Sequence, residues 1–262
     1  MKKQTTAILS ILYTTWCAFW FLAIMLLFMP FFLLLSAQKA RSTFWVSKLK
    51  KTWARICLFL WAIPVKITYE TPLSKKRTYI FCANHTSLVD IVVMGSFMPA
   101  NFIFIGKEEL NHVPIFGYVF KKFHVPVKRS NHLNSYQAML KTAHAIDLGR
   151  SPIIFPEGGI VTTNPPKMAR FKDGAFRLAI EKKIPIVPVT LLFNWIVLPD
   201  EQYIAHRHPI EIIVHAPIET EFLSIDELDA IKQQAYNTIN EPLIPYQKPT
   251  IKQKAETYEQ SR

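Results

Sequence analysis

The N-terminal stretch is the most apolar part of the chain. No charged residue lies between Lys3 and Lys39, and the segment from Ala7 to Leu35 is almost entirely Leu, Phe, Ile, Trp and Ala. As one helix it would extend roughly 50 Å, against roughly 30 Å for a bilayer's hydrocarbon core, so it must tilt, overshoot or bend, and Pro30 is the expected bend. A cleaved signal peptide is the alternative, but the stretch is too long for one and no small-x-small cleavage site precedes Lys39. The pattern therefore predicts a membrane-inserted helix.

Basic residues are unevenly distributed around this stretch. Two precede it, Lys2 and Lys3, whereas six follow it: Lys39, Arg41, Lys48, Lys50, Lys51 and Arg55. Flanking lysines and arginines stay on the cytoplasmic side of a membrane. We therefore expect the rest of the chain on the cytoplasmic side of the inner (plasma) membrane.

Residues 44–63 have the periodicity of an amphipathic helix. An apolar stripe and a basic face recur at about 100° per residue. The stripe is Trp45, Leu49, Trp53, Ile56 and Leu60, and the basic face is Lys48, Lys51 and Arg55. This pattern is typical of a helix that lies in the membrane interface, and the alternative is an ordinary domain helix that packs its stripe on a core.

From residue 64 the pattern changes to short β-rich runs separated by helical stretches, which predicts an α/β domain. Strands are expected at 65–70, 78–83, 101–105, 152–155, 186–193 and 211–215, and helices at 88–97, 114–122, 131–148, 173–183 and 225–240. The last helix begins with a capping box, Ser224 and Glu227. We predict membrane-anchoring helices over 1–63, a catalytic domain over 64–245 and a polar tail over 246–262.

Composition narrows the class of protein. Half of the 262 residues are hydrophobic and only 19% are charged, which excludes disorder for most of the chain. The net charge of +12 suits anionic phosphates, on lipids or nucleic acid. Zinc spacing, RNP-like motifs and a basic helix away from the apolar segments are all missing, so a nucleic-acid partner is not expected. Cys17, Cys57 and Cys82 show no CxxC spacing, so neither a disulfide framework nor a metal site is expected, and a reducing compartment fits.

The sequence Asn84-His85-Thr86-Ser87-Leu88-Val89-Asp90 directly follows a predicted strand. His85 then lies at a strand's carboxyl end, where α/β sheets collect their ligand sites. Asp90, in the first turn of the next helix, could accept a hydrogen bond from one ring nitrogen and leave the other free as a base. The spacing alone is weak evidence, because His206 and Glu211 share it.

Two further blocks carry candidate chemistry. Phe155-Pro156-Glu157-Gly158-Gly159 follows another predicted strand, and its glycines allow a turn that exposes amide groups, with Glu157 aligning a hydroxyl or holding the turn. Arg129 directly precedes a predicted helix, a place suited to binding a phosphate. Taken singly, a tight turn and a solvated basic pair would explain them equally well.

In this order, the blocks resemble the glycerolipid acyltransferase family typified by 1-acyl-sn-glycerol-3-phosphate acyltransferase, over roughly residues 75–195. His85 and Asp90 are similar to its NHxxxxD block, and Val127–Arg129 to its arginine block. Phe155–Gly158 resembles its FPEG block, Arg170–Ala175 its Phe-Lys-x-Gly-Ala stretch, and Ile186–Val189 its proline-containing fourth block.

The resemblance implies a mixed sheet flanked by helices, with an N-terminal membrane-inserted two-helix segment. It implies acyl transfer from acyl-CoA or acyl carrier protein, as co-substrate, to the free hydroxyl of a lysophospholipid, with no cofactor and membrane lipids as partners. His85 would be the general base and Asp90 would orient it. Arg129 would bind the acceptor's phosphate, Glu157 and Gly158 would position the acceptor, and Lys107 is a weaker candidate for the same phosphate. There is no GxSxG nucleophile elbow, so no acyl-enzyme is expected.

The third block departs from the family pattern. FPEGTR is usual, whereas here Gly159-Ile160-Val161 follow Gly158, which removes a hydroxyl and a cation near the acceptor's head group. Another lyso-lipid, such as an amino-acid-containing one, is therefore an alternative acceptor. A non-catalytic protein that binds anionic lipids is the alternative from another class.

Overall fold

The computed structural model describes residues 2–37, 42–98, 101–113, 115–127, 132–162, 164–200 and 202–247. Within these ranges the helices are α1 (Lys2–Ala37), α2 (Ser42–Leu60), α3 (Val89–Phe97), α4 (Phe116–Phe123), α5 (His132–Asp147), α6 (Gly174–Lys182), α7 (Asn194–Val197) and α8 (Leu228–Asn240). The strands are β1 (Val65–Tyr69), β2 (Ile80–Ala83), β3 (Phe102–Lys107), β4 (Val125–Val127), β5 (Ser151–Ile154), β6 (Ile186–Leu192) and β7 (Ile210–Val214). Short 3₁₀ segments are Glu108–His112, Ile225–Glu227 and Glu241–Tyr246.

The seven strands form one mixed sheet in the order β1-β7-β6-β2-β5-β3-β4. Neighbouring strands are parallel except β6 and β7. Every residue of β2 and of β6 is buried, as expected for central strands whose two faces are both covered. The predicted mixed α/β fold is confirmed, although the sequence pattern did not reveal the short elements β4 and α7.

Parallel pairing determines where the site lies. β2 pairs with β5 on one side and with β6 on the other, so the carboxyl ends of all three meet at one edge of the sheet. The segments that follow these strands contain His85, Glu157 and Asn194.

Helix α1 is continuous through Pro30. Cys17, Ile24, Met25 and Phe32 on one face are buried, whereas most of its large apolar side chains are exposed, Leu27 to 67%. Among the described residues, the stretch Ala7–Ala37 of this helix is the one that is long and apolar enough to cross a membrane.

Helix α2 packs against α3 and buries Ala54, Cys57 and Leu58. Two of its bases, predicted to form a polar face, instead donate hydrogen bonds to backbone oxygens at the end of α3. Lys51 Nζ lies 2.7 Å from Met98 O, and Arg55 Nε lies 2.8 Å from Ser96 O. Cations in this position interact favourably with the partial negative charge at the carboxyl end of a helix.

The predicted capping box is present, with Glu227 accepting the Ser224 N–H at 2.8 Å. From residue 248 onward the predicted polar tail lies outside the described residues. The domain boundaries at 63 and 245 stay predictions.

Candidate active site

The loop between β2 and α3 folds around the carboxylate of Asp90. Asp90 Oδ2 accepts hydrogen bonds from the backbone N–H of Thr86 at 2.8 Å and of Ser87 at 3.0 Å, and from His85 Nδ1 at 2.8 Å. Thr86 and Ser87 lie in the loop just before α3, so an acid in the first turn of the helix is close enough in sequence to accept their N–H groups. Asp90 is fully buried, so the loop and the imidazole of His85 are held by one carboxylate.

Asn194 holds the second oxygen of this carboxylate, a contact that the sequence did not suggest. Asn194 Nδ2 donates to Asp90 Oδ1 at 2.6 Å. Asn194 begins α7 directly after β6, and β6 is the parallel neighbour of β2. Had the strand order been known, this pairing would have pointed to Asn194.

The ring of His85 is fixed on its face as well as at Nδ1. It stacks on Phe155 with centroids 4.0 Å apart and an interplanar angle of 16°. With Nδ1–H donated to Asp90, Nε2 makes no hydrogen bond to any described residue. His85 therefore presents an unengaged, oriented acceptor nitrogen, which is the arrangement a general base requires.

A second histidine–carboxylate pair lacks this property. His215 Nδ1 lies 2.7 Å from Glu70 Oε1, and His215 Nε2 lies 2.8 Å from the hydroxyl of Thr190. Both ring nitrogens are engaged, and the Thr190 hydroxyl also donates to Ile239 O at 3.1 Å. This chain of hydrogen bonds ties β6, β7 and α8 together and leaves no nitrogen for a substrate.

Glu157 lies beneath the loop that carries His85. Its Oε1 accepts the backbone N–H of His85 and its Oε2 accepts that of Ala169, both at 2.8 Å. Only 2% of the residue is exposed, and it does not line either of the larger cavities. Burial raises the pKa of Glu157 to about 7 despite the two N–H donors, which favour the carboxylate. In this geometry Glu157 holds the His85 loop to residue 169.

We expect Glu157 to make stability dependent on pH. Because its pKa rises from 4.5 when unfolded to about 7 when folded, its contribution is complete below pH 4.5 and is lost as the pH rises through 7. The free energy of unfolding of the wild type, minus that of Glu157→Gln, should fall by about 3 kcal/mol from pH 4.5 to pH 8. Denaturant titrations of both proteins in detergent measure this difference, and a constant difference would contradict it.

The turn after β5 needs its glycines. Gly158 has φ +86° and Gly159 has φ 154°, and a Cβ on Gly158 would collide with the side chain of Lys172. Lys172 belongs to the predicted Phe-Lys-x-Gly-Ala stretch, so a cation from elsewhere in the chain lies beside the block that lacks the usual arginine.

Two cavities adjoin each other, and His85 lines one of them. One, of about 200 Å³, is lined by His85, Lys107, Phe155, Asp200 and Tyr203, among others. The other, of about 330 Å³, is almost wholly apolar and lies between α1, α2 and α3; its lining includes Ala18, Trp53, Val92, Phe116 and Val197. Leu88, Ile91, Leu110 and Tyr203 line both. The base therefore faces a partly polar chamber that adjoins an apolar one.

The structure describes five of the six sequence-predicted site residues and brings them together. His85, Asp90 and Glu157 are joined by hydrogen bonds, Gly158 forms the adjoining turn, and Lys107 lines the cavity of His85. Arg129 lies outside the described residues. Within the part of the chain that the structure describes, no three His, Cys, Asp or Glu side chains are grouped to hold a metal ion.

Comparison with known proteins identifies the class. Residues 64–192 match the model of the family described as Acyltransferase. The solved 1-acyl-sn-glycerophosphate (LPA) acyltransferase PlsC from Thermotoga maritima has the same fold, with a TM-score of 0.78 and 20% identity over 92% of this chain and 97% of that one. The domain is thus of the acyltransferase class.

Curated relatives narrow the family. The 1-acyl-sn-glycerol-3-phosphate acyltransferase of Saccharomyces cerevisiae is 29% identical over 68% of this chain and 61% of that protein. The lyso-ornithine lipid O-acyltransferase of Pseudomonas aeruginosa is 28% identical over 59% of this chain and 57% of that protein. The chain spans about three fifths of the length of these relatives. Residues 64–192 therefore form a domain of the Acyltransferase family, and the chain is similar to proteins named 1-acyl-sn-glycerol-3-phosphate acyltransferase and lyso-ornithine lipid O-acyltransferase.

Proposed function

We propose that this protein transfers a fatty acyl group from acyl-CoA or acyl carrier protein to the free hydroxyl of a lysophospholipid. The leading acceptor is 1-acyl-sn-glycerol-3-phosphate, which would give phosphatidic acid. The observation that carries the proposal is the His85–Asp90 pair, with His85 Nδ1 2.8 Å from Asp90 Oδ2. His85 leaves its other ring nitrogen without a hydrogen bond to any described residue, and it lines a cavity that adjoins an apolar one. Relatives named for this reaction support it.

In the proposed reaction His85 Nε2 takes the proton of the acceptor hydroxyl as its oxygen attacks the thioester carbonyl. A C–O bond forms, the C–S bond breaks, and the proton passes from His85 to the departing thiolate. Throughout the reaction Asp90 accepts a hydrogen bond from His85 Nδ1–H and stabilises the imidazolium form of His85. Such general-base action contributes about 10² to 10⁴ in rate.

A covalent acyl-enzyme is not part of the proposal. Cys82, close in sequence to His85, is fully buried within β2, and burial raises its pKa to about 12. Its thiol stays protonated at neutral pH and has no access to substrate. Direct transfer between the two substrates fits this arrangement.

The apolar cavity is the proposed site for an acyl chain. It lies against α1, whose outward apolar side chains would sit in lipid. We propose that α1 is inserted in the membrane and that the catalytic domain lies on the cytoplasmic side, so that substrate and product exchange directly with the bilayer. The alternative, a non-catalytic lipid-binding protein, leaves the oriented base at the cavity unexplained.

The head group of the acceptor is less constrained. Arg129 is the proposed phosphate ligand from the family resemblance, and Lys107 in the cavity can serve the same charge. The alternative is another lyso-lipid, such as an amino-acid-containing one. Gly159 in place of the usual threonine favours it, as does the similarity to a protein named lyso-ornithine lipid O-acyltransferase.

A transfer assay tests the proposal. Full-length protein in membranes or detergent is given radiolabelled acyl-CoA or acyl carrier protein with lysophosphatidate and a panel of other lyso-lipids. Acylated lysophosphatidate supports the leading acceptor, whereas product from another acceptor alone keeps the reaction and changes the substrate. Absence of product across the panel would contradict acyl transfer and favour the binding protein.

A further inference from the structure

The wall of the His85 cavity carries an acidic side chain that no part of the proposed reaction uses. Asp200 lines the cavity of about 200 Å³ together with His85 and Lys107. Neither Asp200 nor Lys107 makes a side-chain hydrogen bond or an ion pair with any described residue. Two unpartnered groups of opposite charge therefore border the chamber in which the acceptor's hydroxyl must meet the base.

The segment that carries Asp200 is fixed on both sides. Before it, Leu198 O accepts a hydrogen bond from Ser87 Oγ at 2.8 Å, which joins it to the loop of His85. After it, the backbone N–H of Ala205 donates to Thr14 Oγ1 of α1 at 2.8 Å. Tyr203, between these two anchors, lines the same cavity. Asp200 is thus held at the site by the catalytic loop and by α1.

A half-buried carboxylate beside a phosphate-binding site repels a head group with two negative charges and so disfavours its binding. Like charges repel more strongly where protein replaces water, and a carboxylate without a partner is stabilised when a cation binds beside it. An acceptor with an ammonium group provides that cation, and its acidic group can pair with Lys107.

We propose that Asp200 tunes the choice of acceptor: it pairs with an ammonium group of the head group, so this side chain shifts the relative kcat/KM towards a zwitterionic lyso-lipid and away from one that carries phosphate alone. This inference rests on the proposed acyl transfer and names the substrate class of that same site. One charge pair in a partly exposed chamber corresponds to about tenfold in relative kcat/KM.

The test compares two acceptors that differ only in the ammonium-bearing group: 1-oleoyl lysophosphatidylethanolamine and 1-oleoyl lysophosphatidate, with one acyl donor. Asp200→Asn should lower the ratio of kcat/KM for the first over the second about tenfold, mainly through KM, because the pair is made in ground and transition states alike. Lys107→Met should weaken both acceptors and leave the ratio nearly unchanged. Asp226→Asn, at an exposed position away from the cavity, is the control.

The outcomes separate the two proposals. An unchanged ratio in Asp200→Asn, or an equal loss on both acceptors, overturns the role of Asp200 and leaves acyl transfer intact. Wild-type protein that acylates neither acceptor, nor any other in the panel, overturns the proposed function and this inference with it. A ratio that falls in Asp200→Asn but not in Asp226→Asn supports both.

Discussion

Replacing His85 by alanine is expected to lower acyl transfer by about 10² to 10⁴, with KM for both substrates nearly unchanged. His85 is the residue whose ring is oriented on one side by Asp90 at 2.8 Å, stacked on Phe155, and left with an unengaged nitrogen at the cavity. Without that nitrogen the hydroxyl must lose its proton to water, so kcat falls. Initial rates with radiolabelled acyl donor, measured against acceptor concentration, separate kcat from KM.

Matched variants make this result specific. His144→Ala, on the exposed face of α5, removes an imidazole that lines neither cavity and should keep full activity. Because alanine also leaves a gap beside Phe155, His85→Gln serves as a second variant that fills more of the space. Product formed at wild-type rates by a folded His85 variant would exclude His85 as the base.

The local part of the site could be predicted from the sequence. His85 and Asp90 are five residues apart, and a strand followed by a helix leaves few ways to arrange the loop between them. Asp90, in the first turn of α3, accepts the N–H groups of Thr86 and Ser87 in the loop before the helix, and the same carboxylate reaches the histidine. Short sequence separation made this geometry predictable.

The long-range part could not be predicted in the same way. Asn194 and Asp90 are separated by 104 positions, and Glu157 and His85 by 72. Their contacts depend on β5 and β6 being the two neighbours of β2, and hydrophobic periodicity predicts strands without their order. Asp200 likewise follows a helix of four residues that is too short for periodicity to reveal.

The basic face of α2 shows a second limit to what the sequence pattern can predict. A pattern of lysines and arginines cannot distinguish a solvated face from one that binds backbone oxygens. Lys51 and Arg55 of that face bind the end of α3, and Lys50, a base outside it, is only 6% exposed and donates to Phe102 O at 3.0 Å. These contacts require the carboxyl end of α3 to face α2, which is a property of the tertiary structure.

The second large effect is expected at Asp90, where asparagine and alanine should act differently. Alanine removes the acceptor of two backbone N–H groups, one ring N–H and the Asn194 amide, and each buried donor left without a partner costs about 1–3 kcal/mol. Asparagine can keep these bonds through its oxygen. Its amide NH₂ would then face Asn194, whose Oδ1 is buried without a hydrogen-bond partner and could accept it if the Asn194 amide rotates.

Asp90→Asn therefore removes mainly the negative charge. The kcat of this variant then measures how much that charge contributes to the rate of acyl transfer. We expect kcat to fall by about 10² to 10⁴ with KM little changed, because Asp90 does not line the substrate cavities and acts through His85. Thermal unfolding should stay near that of the wild type, whereas Asp90→Ala should unfold at a markedly lower temperature. Asp147→Asn, which loses an exposed carboxylate paired with Lys182, is the control and should change neither quantity appreciably. A folded Asp90→Asn protein with wild-type kcat would show that the carboxylate serves only to shape the loop, since then neutral and charged partners would orient His85 equally well.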